Sequence, residues 1–302
     1  MPPPPDLLTP GRPRPRAGSS FDPFYFAALR FGVAAAALSP FMLRALRHKK
    51  IMRAGVELGL ITAAGYLTQS LGLLTTDASR ASFLSTFTVL VVPILVGLSG
   101  RGVQPIIWAA AAASVGGVSL LEQSGAPPSV GDLWSVASAF AFGLQMFRTE
   151  HWSRRLSSKY TVHLMSVVLA VTAAAAAAAA AVAHPAALAH AVAAPGDFAA
   201  ALASDAVPWN AVLYTGLLST DVALLMELVA LRDVASSEAA IVYTLEPVLG
   251  AAIAFAVLGE RWGPAGWAGA GIIVASSLVT QLCVTPEAPE GRGGVDIEGK
   301  ES

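Results

Sequence analysis

Four charged side chains stand away from the ends of stretches that are otherwise almost uniformly apolar. Arg30 lies about a third of the way into Phe24–Leu43, Asp221 lies about halfway along Trp209–Leu231 with Glu227 also well inside it, and Glu246 is in the middle of Ala239–Leu258. A charge at the centre of a hydrocarbon layer costs about 2.5–3.5 kcal/mol on insertion scales, so such a group needs a polar pathway or a partner helix to face. A carboxylate there can take up a proton or hold a cationic group. Spacing gives the acids company: Tyr243, Glu246 and Gly250 recur three and four residues apart, which sets a ring, an acid and bare backbone on one helical face. Thr220 and Glu227 share a face by the same count. Pro247 offers no amide hydrogen to the Tyr243 carbonyl, and Pro93 offers none to Val89, so both are expected helix breaks close to the polar groups. The plain alternative for each acid is a hydrogen bond to a neighbouring helix.

Other chemistries are poorly served. The lone Cys283 forms no internal disulfide, and the histidines (His48, His151, His163, His184, His190) fall at loops or ends of apolar runs. No His/Cys grouping has ligand spacing and no nucleophile stands with a base, so no metal, cofactor or catalytic residue is expected. The net charge is −1 and the cations cluster between apolar runs instead of along one face, which excludes nucleic acid as a partner.

The elements that must position these groups are long apolar helices. Only 13% of the residues are charged and the mean hydropathy is +0.62, whereas a soluble domain carries about 25% charged residues. Nine runs approach the length of about 20 apolar residues needed to cross a bilayer: Phe24–Leu43, Ala54–Leu74, Ala81–Leu98, Val103–Leu121, Val130–Phe147, Val162–Ala183, Trp209–Leu231, Ala239–Leu258 and Pro264–Cys283. The expected class is therefore an all-α, multi-pass integral membrane protein with about nine transmembrane helices. The sixth run is the weakest, because Ala173–Ala181 is only mildly hydrophobic, but Leu164, Met165, Val167, Val168 and Leu169 favour insertion. The Pro/Arg-rich residues 1–21 and the polar residues 285–302 are expected to be disordered. Arg44, Arg47, His48, Lys49, Lys50 and Arg53 fill one link and Arg148, Arg154, Arg155 and Lys159 another. Four runs separate the two links, so both fall on one side, as the excess of cations in cytoplasmic loops requires.

Two stretches read alike at a shift of about 160 residues. Gly59-Leu60-Ile61-Thr62, Ser79-Arg80-Ala81-Ser82 and Gln104-Pro105-Ile106-Ile107-Trp108-Ala109 are answered, in order, by Gly216-Leu217-Leu218-Ser219, Ser237-Glu238-Ala239-Ala240 and Gly263-Pro264-Ala265-Gly266-Trp267-Ala268. The halves run over 22–123, with four helices, and 130–284, with five. The second run matches the seventh, an odd number of spans away, so the halves are inserted upside down relative to each other, and Gln69 falls opposite Glu227. Inverted repeats of this kind are typical of secondary transporters.

Ala28-Leu29-Arg30-Phe31, Ser237-Glu238-Ala239-Ala240, Leu245-Glu246-Pro247-Val248 and Leu258-Gly259-Glu260-Arg261 resemble the EamA-type domain of the drug/metabolite transporter superfamily. The resemblance implies a fold of ten helices in two inverted five-helix repeats, and a cargo among metabolites, amino acids, drugs or sugars. The Pro-rich start stands where the usual first helix would be, so the chain is expected either to lack that helix or to be truncated before it.

The function expected from residues and resemblance together is secondary transport of a small organic metabolite by alternating access. The pathway candidates are Arg30, Gln69, Asp221, Glu227, Tyr243 and Glu246, with helix breaks at Pro93 and Pro247. Acids beside an aromatic ring suit an amine, an amino acid or another zwitterion, and a single deep cation suits a multiply charged phosphate ester poorly. The lipid bilayer is the expected surrounding partner. Proton coupling, a homodimer, and the choice between plasma and plastid membrane stay open, as do a non-transporting scaffold or sensor and a membrane-embedded enzyme.

Overall fold

The computed structural model describes residues 22–76, 81, 84–121, 129–204, 207–246, 248–249 and 263–283, and all regular structure among them is helical. Residues 1–21, the tail from 285, and the part of the eighth run that holds Pro247 and Gly250 lie outside the described residues.

Helix α1 (Pro23–Ala37) is started by Asp22, whose carboxylate accepts from the amides of Phe24 at 2.8 Å and Tyr25 at 3.1 Å, satisfying two of the donors a helix start leaves unpaired. The first apolar run does not continue straight to Leu43. It breaks after Ala37, and α2 (Ser39–Ala45) leaves at 69°. Pro40 cannot donate to the Ala36 carbonyl, and this lost bond accounts for the bend. Then follow α3 (Lys49–Thr75), α4 (Thr88–Leu98), α5 (Pro105–Leu121), α6 (Val130–Arg155) and α7 (Thr161–Ala183). The link from His184 to Pro208, expected as a loop, contains two short helices, α8 (Pro185–Ala193) and α9 (Pro195–Leu202). Its alanines are strong helix formers, and Pro185 and Pro195 occupy first helical positions, where a missing N–H does no harm. The last three helices are α10 (Trp209–Ala230), α11 (Ser236–Tyr243) and α12 (Pro264–Cys283).

Lys49–Thr75, Ser158–Ala183 and Trp209–Ala230 are each long and apolar enough to cross a membrane, and α1 with α2 makes a fourth if counted as one bent span. The once doubtful sixth run is among the three. Thr88–Leu98, Pro105–Leu120 and Pro264–Thr280 are shorter apolar helices. With 11 residues, α4 extends only about 16 Å at helical rise. The expected runs therefore emerge with unequal lengths.

The helices pack through two apolar clusters. Phe31, Ile51, Leu58, Leu164, Leu169 and Leu228 join α1, α3, α7 and α10; Val92, Ile107, Met146, Leu231 and Ile241 join α4, α5, α6 and α11. Matching helices of the repeat meet each other: α1 packs on α7 and α5 on α12. The second pairing is reciprocal. By the offset that sets Trp108 opposite Trp267, Ser114 corresponds to Ile273 and Gly117 to Ser276. Ser114 shares a hydrogen bond of 2.7 Å with Ser276, and Gly117 faces Ile273. Such exchange of partners is what a two-fold relation produces.

Gly59 and Gly216, counterparts in the repeat, allow two further close approaches. A Cβ on Gly59 would lie 2.7 Å from the Val168 carbonyl oxygen on α7, and one on Gly216 would lie 2.9 Å from the Arg30 carbonyl oxygen on α1. Both neighbours are backbone and cannot rotate away. Gly59→Ala and Gly216→Ala are expected to lose about 1–3 kcal/mol through overpacking, seen as a lower unfolding temperature in detergent. Gly32→Ala, with nothing within 4 Å of the added carbon, should leave that temperature unchanged or raise it.

Candidate functional site

A cavity of about 560 Å³ opens in the middle of the bundle. Every long helix around it sends in a polar or aromatic side chain at helical spacing. α3 contributes Thr62, Tyr66 and Gln69, α6 contributes Phe142 and Gln145, α10 contributes Ser219 and Glu227, and α1 contributes Arg30. Tyr243, Thr244 and Glu246 complete the lining, with Ser85, Thr86 and Thr88 at the start of α4. The volume falls in the range of small-molecule sites, about 300–1,000 Å³.

The polar groups are held from behind. The Gln145 amide donates to Glu227 Oε1 at 3.0 Å and to Thr149 at 3.1 Å, which fixes the amide and orients the carboxylate. Arg30 Nε donates to Thr220 Oγ1 at 2.7 Å, and that hydroxyl donates onward to the Thr215 carbonyl at 2.7 Å. The guanidinium lies 4.9 Å from the Tyr66 ring centre and 5.1 Å from that of Phe31, a cation–π arrangement that costs little desolvation of the charge. Tyr66 in turn meets Phe142 edge-on at 5.0 Å. The buried Thr62 hydroxyl has no hydrogen-bond partner, an unfilled donor and acceptor at the cavity wall. Chemically this is a chamber with two carboxylates, one guanidinium and an aromatic side.

Of the residues expected to form a site, Arg30, Gln69, Glu227, Tyr243 and Glu246 share this cavity. Asp221 does not line it. It is buried on α10 with Oδ1 unpartnered. Thr220 does not line it either, although a regular α-helix would put it on the Glu227 face. Tyr214–Val222 is a π-helix, whose wider i→i+5 turn shifts the register so that Ser219, Ala223 and Glu227 face the cavity. Pro93 is buried inside α4, and the helix runs through it from Thr88 to Leu98 without a break; the lost bond is absorbed within the helix, and Val89, four residues back, reaches the cavity. Thr62, Tyr66, Phe142 and Gln145 were missed. For Thr62 and Tyr66 the signal was available: Thr62, Tyr66 and Gln69 are four and three apart, as a shared face requires.

A buried ionic cluster lies at the end of the bundle that carries Arg154, Arg155 and Lys159. Glu150, 1% exposed, accepts from Arg101 at 2.7 Å and from the Ser236 amide at 2.9 Å, with the Ser236 hydroxyl and Arg154 beside it. One carboxylate thus ties together the α4–α5 link, α6 and the start of α11. Nearby, Glu57 of α3 pairs with Arg148 and accepts from Trp152 at 3.3 Å.

A family model described as "EamA-like transporter family" matches residues 15–122 and again 129–282. A solved crystal structure superposes with a TM-score of 0.65 at 18% identity, covering 87% of this chain and 88% of that one. At that identity the likeness shows the fold alone. No curated protein matches.

Cys283, the lone cysteine, is exposed, and replacing it by serine gives a clean background for accessibility measurements. In that background Gln69→Cys, Ser85→Cys and Tyr243→Cys are expected to react with a water-soluble thiol reagent several-fold faster than Ala111→Cys or Val118→Cys, which replace fully buried residues. Equal rates for the two groups would show that the cavity holds no water path.

Proposed function

Because the chain belongs to the EamA-like transporter family, we propose that it is a secondary transporter that carries a small organic solute with a cationic or zwitterionic group by alternating access. One observation supports this above the others: Glu227 and Glu246 from one half of the repeat and Arg30 and Gln69 from the other converge on a single mid-bundle cavity.

An ammonium group entering this chamber exchanges water for the carboxylates of Glu227 and Glu246 and the faces of Tyr66 and Tyr243. Arg30, pre-set by Thr220, takes up a carboxylate on the cargo, or offsets one acid when the cargo has none. Ligand contacts from both halves favour the state in which the halves lie closest, and this differential affinity moves a carrier through its cycle. On this reading the cluster around Glu150 is the gate at the basic end. It must separate for cargo to leave there, and separation exposes Glu150, Arg101 and the Ser236 amide to water, which restores most of the lost hydrogen bonding. Glu227 and Glu246 also serve as proton acceptors if the cycle is driven by a pH gradient.

Purified protein in sealed vesicles, screened for uptake of amines, amino acids and nucleosides with and without a pH gradient, tests the reading. Glu227→Gln and Glu246→Gln are each expected to lower transport about tenfold, the loss of roughly 1.4 kcal/mol of binding. Normal transport by both variants would end the assignment of the site. For the gate, Glu150→Gln is expected to increase several-fold the reactivity of a cysteine placed at Val96, approached from the basic side. Unchanged reactivity would mean that this ion pair only holds the fold.

A further inference from the structure

The elbow between α1 and α3 has a surface that the transport cycle leaves unused. After the 69° bend at Leu38, α2 packs against the start of α7. Phe41 is pinned edge-on to His163 at 5.8 Å, and His48 to Tyr160 at 5.2 Å, so the elbow is a fixed platform. Its outer side alternates apolar and cationic groups. Phe41, Leu43 and Leu46 are 38%, 70% and 54% exposed, and Arg44, Arg47, Lys49, Lys50 and Arg53 are exposed between and after them. The sequence contains no acidic residue between Asp22 and Glu57. None of the five cations pairs with a carboxylate among the described residues. Glu57 is taken by Arg148, and Glu150 by Arg101 and Arg154.

The placement is electrostatically unfavourable for the protein alone. Lys49 and Lys50 occupy the first turn of the 27-residue α3, which has no acid there and no side-chain cap, and the positive end of a helix dipole repels cations. An anion supplied from outside would relieve this. A soluble anion would leave Leu43 and Leu46 in water. A ligand with a phosphate at one end and acyl chains at the other satisfies both sets of groups at once.

We propose that this elbow lies in the membrane interface and seats the headgroup of an anionic phospholipid, with the cations of residues 44–53 on the phosphate and Phe41, Leu43 and Leu46 against the acyl chains. The seat rests on the membrane character of the protein, not on the identity of its cargo. Native mass spectrometry of the full chain in neutral detergent, titrated with phosphatidylglycerol or phosphatidylcholine, reads it directly. Retention of phosphatidylglycerol well above phosphatidylcholine is expected, falling with salt and unaffected by inorganic phosphate. The combined variant Arg44→Gln, Arg47→Gln, Lys49→Gln, Lys50→Gln should lose several-fold of that retention. The charge-preserving set Arg44→Lys, Arg47→Lys, Lys49→Arg, Lys50→Arg should keep it, and Glu227→Gln, far from the elbow, should not alter it. If the fourfold neutral variant cannot be purified, Arg44→Gln with Arg47→Gln should show a partial loss. Equal retention of the two lipids, or unchanged retention in either neutral variant, would overturn the proposal. Displacement by inorganic phosphate would equally overturn it, since the site would then be one for a soluble anion.

Discussion

A carboxylate cannot face hydrocarbon, and most of this architecture follows from that prohibition. Lipid offers no hydrogen bonds, so each charge within a run must turn toward another helix or toward water inside the bundle. Glu227 finds Gln145, Arg30 finds Thr220 and two rings, and Glu150 finds Arg101 and the start of α11. The cavity is where those solutions adjoin. Its polar wall comes from groups with no other tolerable place to point, while the rest of the bundle is filled mainly by Val, Leu, Ile and Ala, with buried Ser and Thr side chains among them. In lipid the helices are not driven together by exclusion of water, so close contact depends on shape and hence on Gly59, Gly117 and Gly216 at the crossings.

The backbone departs from regular α-helix where the polar groups need it. The π-helix Tyr214–Val222 lets one helix present Glu227 inward and still turn Thr220 toward Arg30. A regular helix would bring Thr220 and Glu227 to the same face, and the support for Arg30 would then compete with cargo for space. At Thr86 and Phe87 the chain makes a turn before α4, which leaves a short helix and places Ser85, Thr86 and Thr88 along the cavity. The break at Leu38 has a different consequence: it turns α2, with Arg44, 69° away from the line of α1.

Depth in an apolar run was enough to find Arg30, Glu227 and Glu246, because burial of a charge is costly wherever the helix faces. It could not say which way a helix was turned. Asp221 has the same depth signal as Glu227 and lies off the cavity, and the phase between them is set by a π-helix that composition does not announce. Gln69 was found through the repeat, which adds the orientation that depth lacks. Phe142 and Gln145 carried no such mark, since an aromatic ring or an amide in a run is cheap enough to be ordinary packing. Prolines misled in both directions: Pro93 was expected to break its helix and is carried within it, whereas Pro40, which passed unremarked, produces the sharpest bend. Glu150 escaped notice because it lies past Phe147, where solvation is normally available; only the tertiary approach of Arg101 and Ser236 buries it. Membership of the family and the helical class were legible from motif and composition, but the lengths of individual helices were not, because links such as His184–Pro208 are themselves helical.

The two ends of the bundle are held by interactions of different strength, and this bears on the proposed cycle. At the basic end the tie is a buried carboxylate with two guanidinium groups and a helix start, joining the α4–α5 link to α6 and α11. At the other end, Thr76 meets Ser129 at 2.7 Å and donates to Asp132 at 3.0 Å, which joins α3 to the start of α6, and His184 lies 3.0 Å from the Asp22 carboxylate, which joins the end of α7 to the start of α1. The ties differ in burial: the Glu150 side chain is 1% exposed, whereas those of His184 and Asp22 are 38% and 30% exposed. Removing one partner of a buried ion pair costs more than losing one that water reaches, so on the proposed cycle the resting state is the one with the basic end shut. On that reading, cargo bound between Glu227, Glu246 and Arg30 supplies, through contacts with both halves, the free energy that opens it.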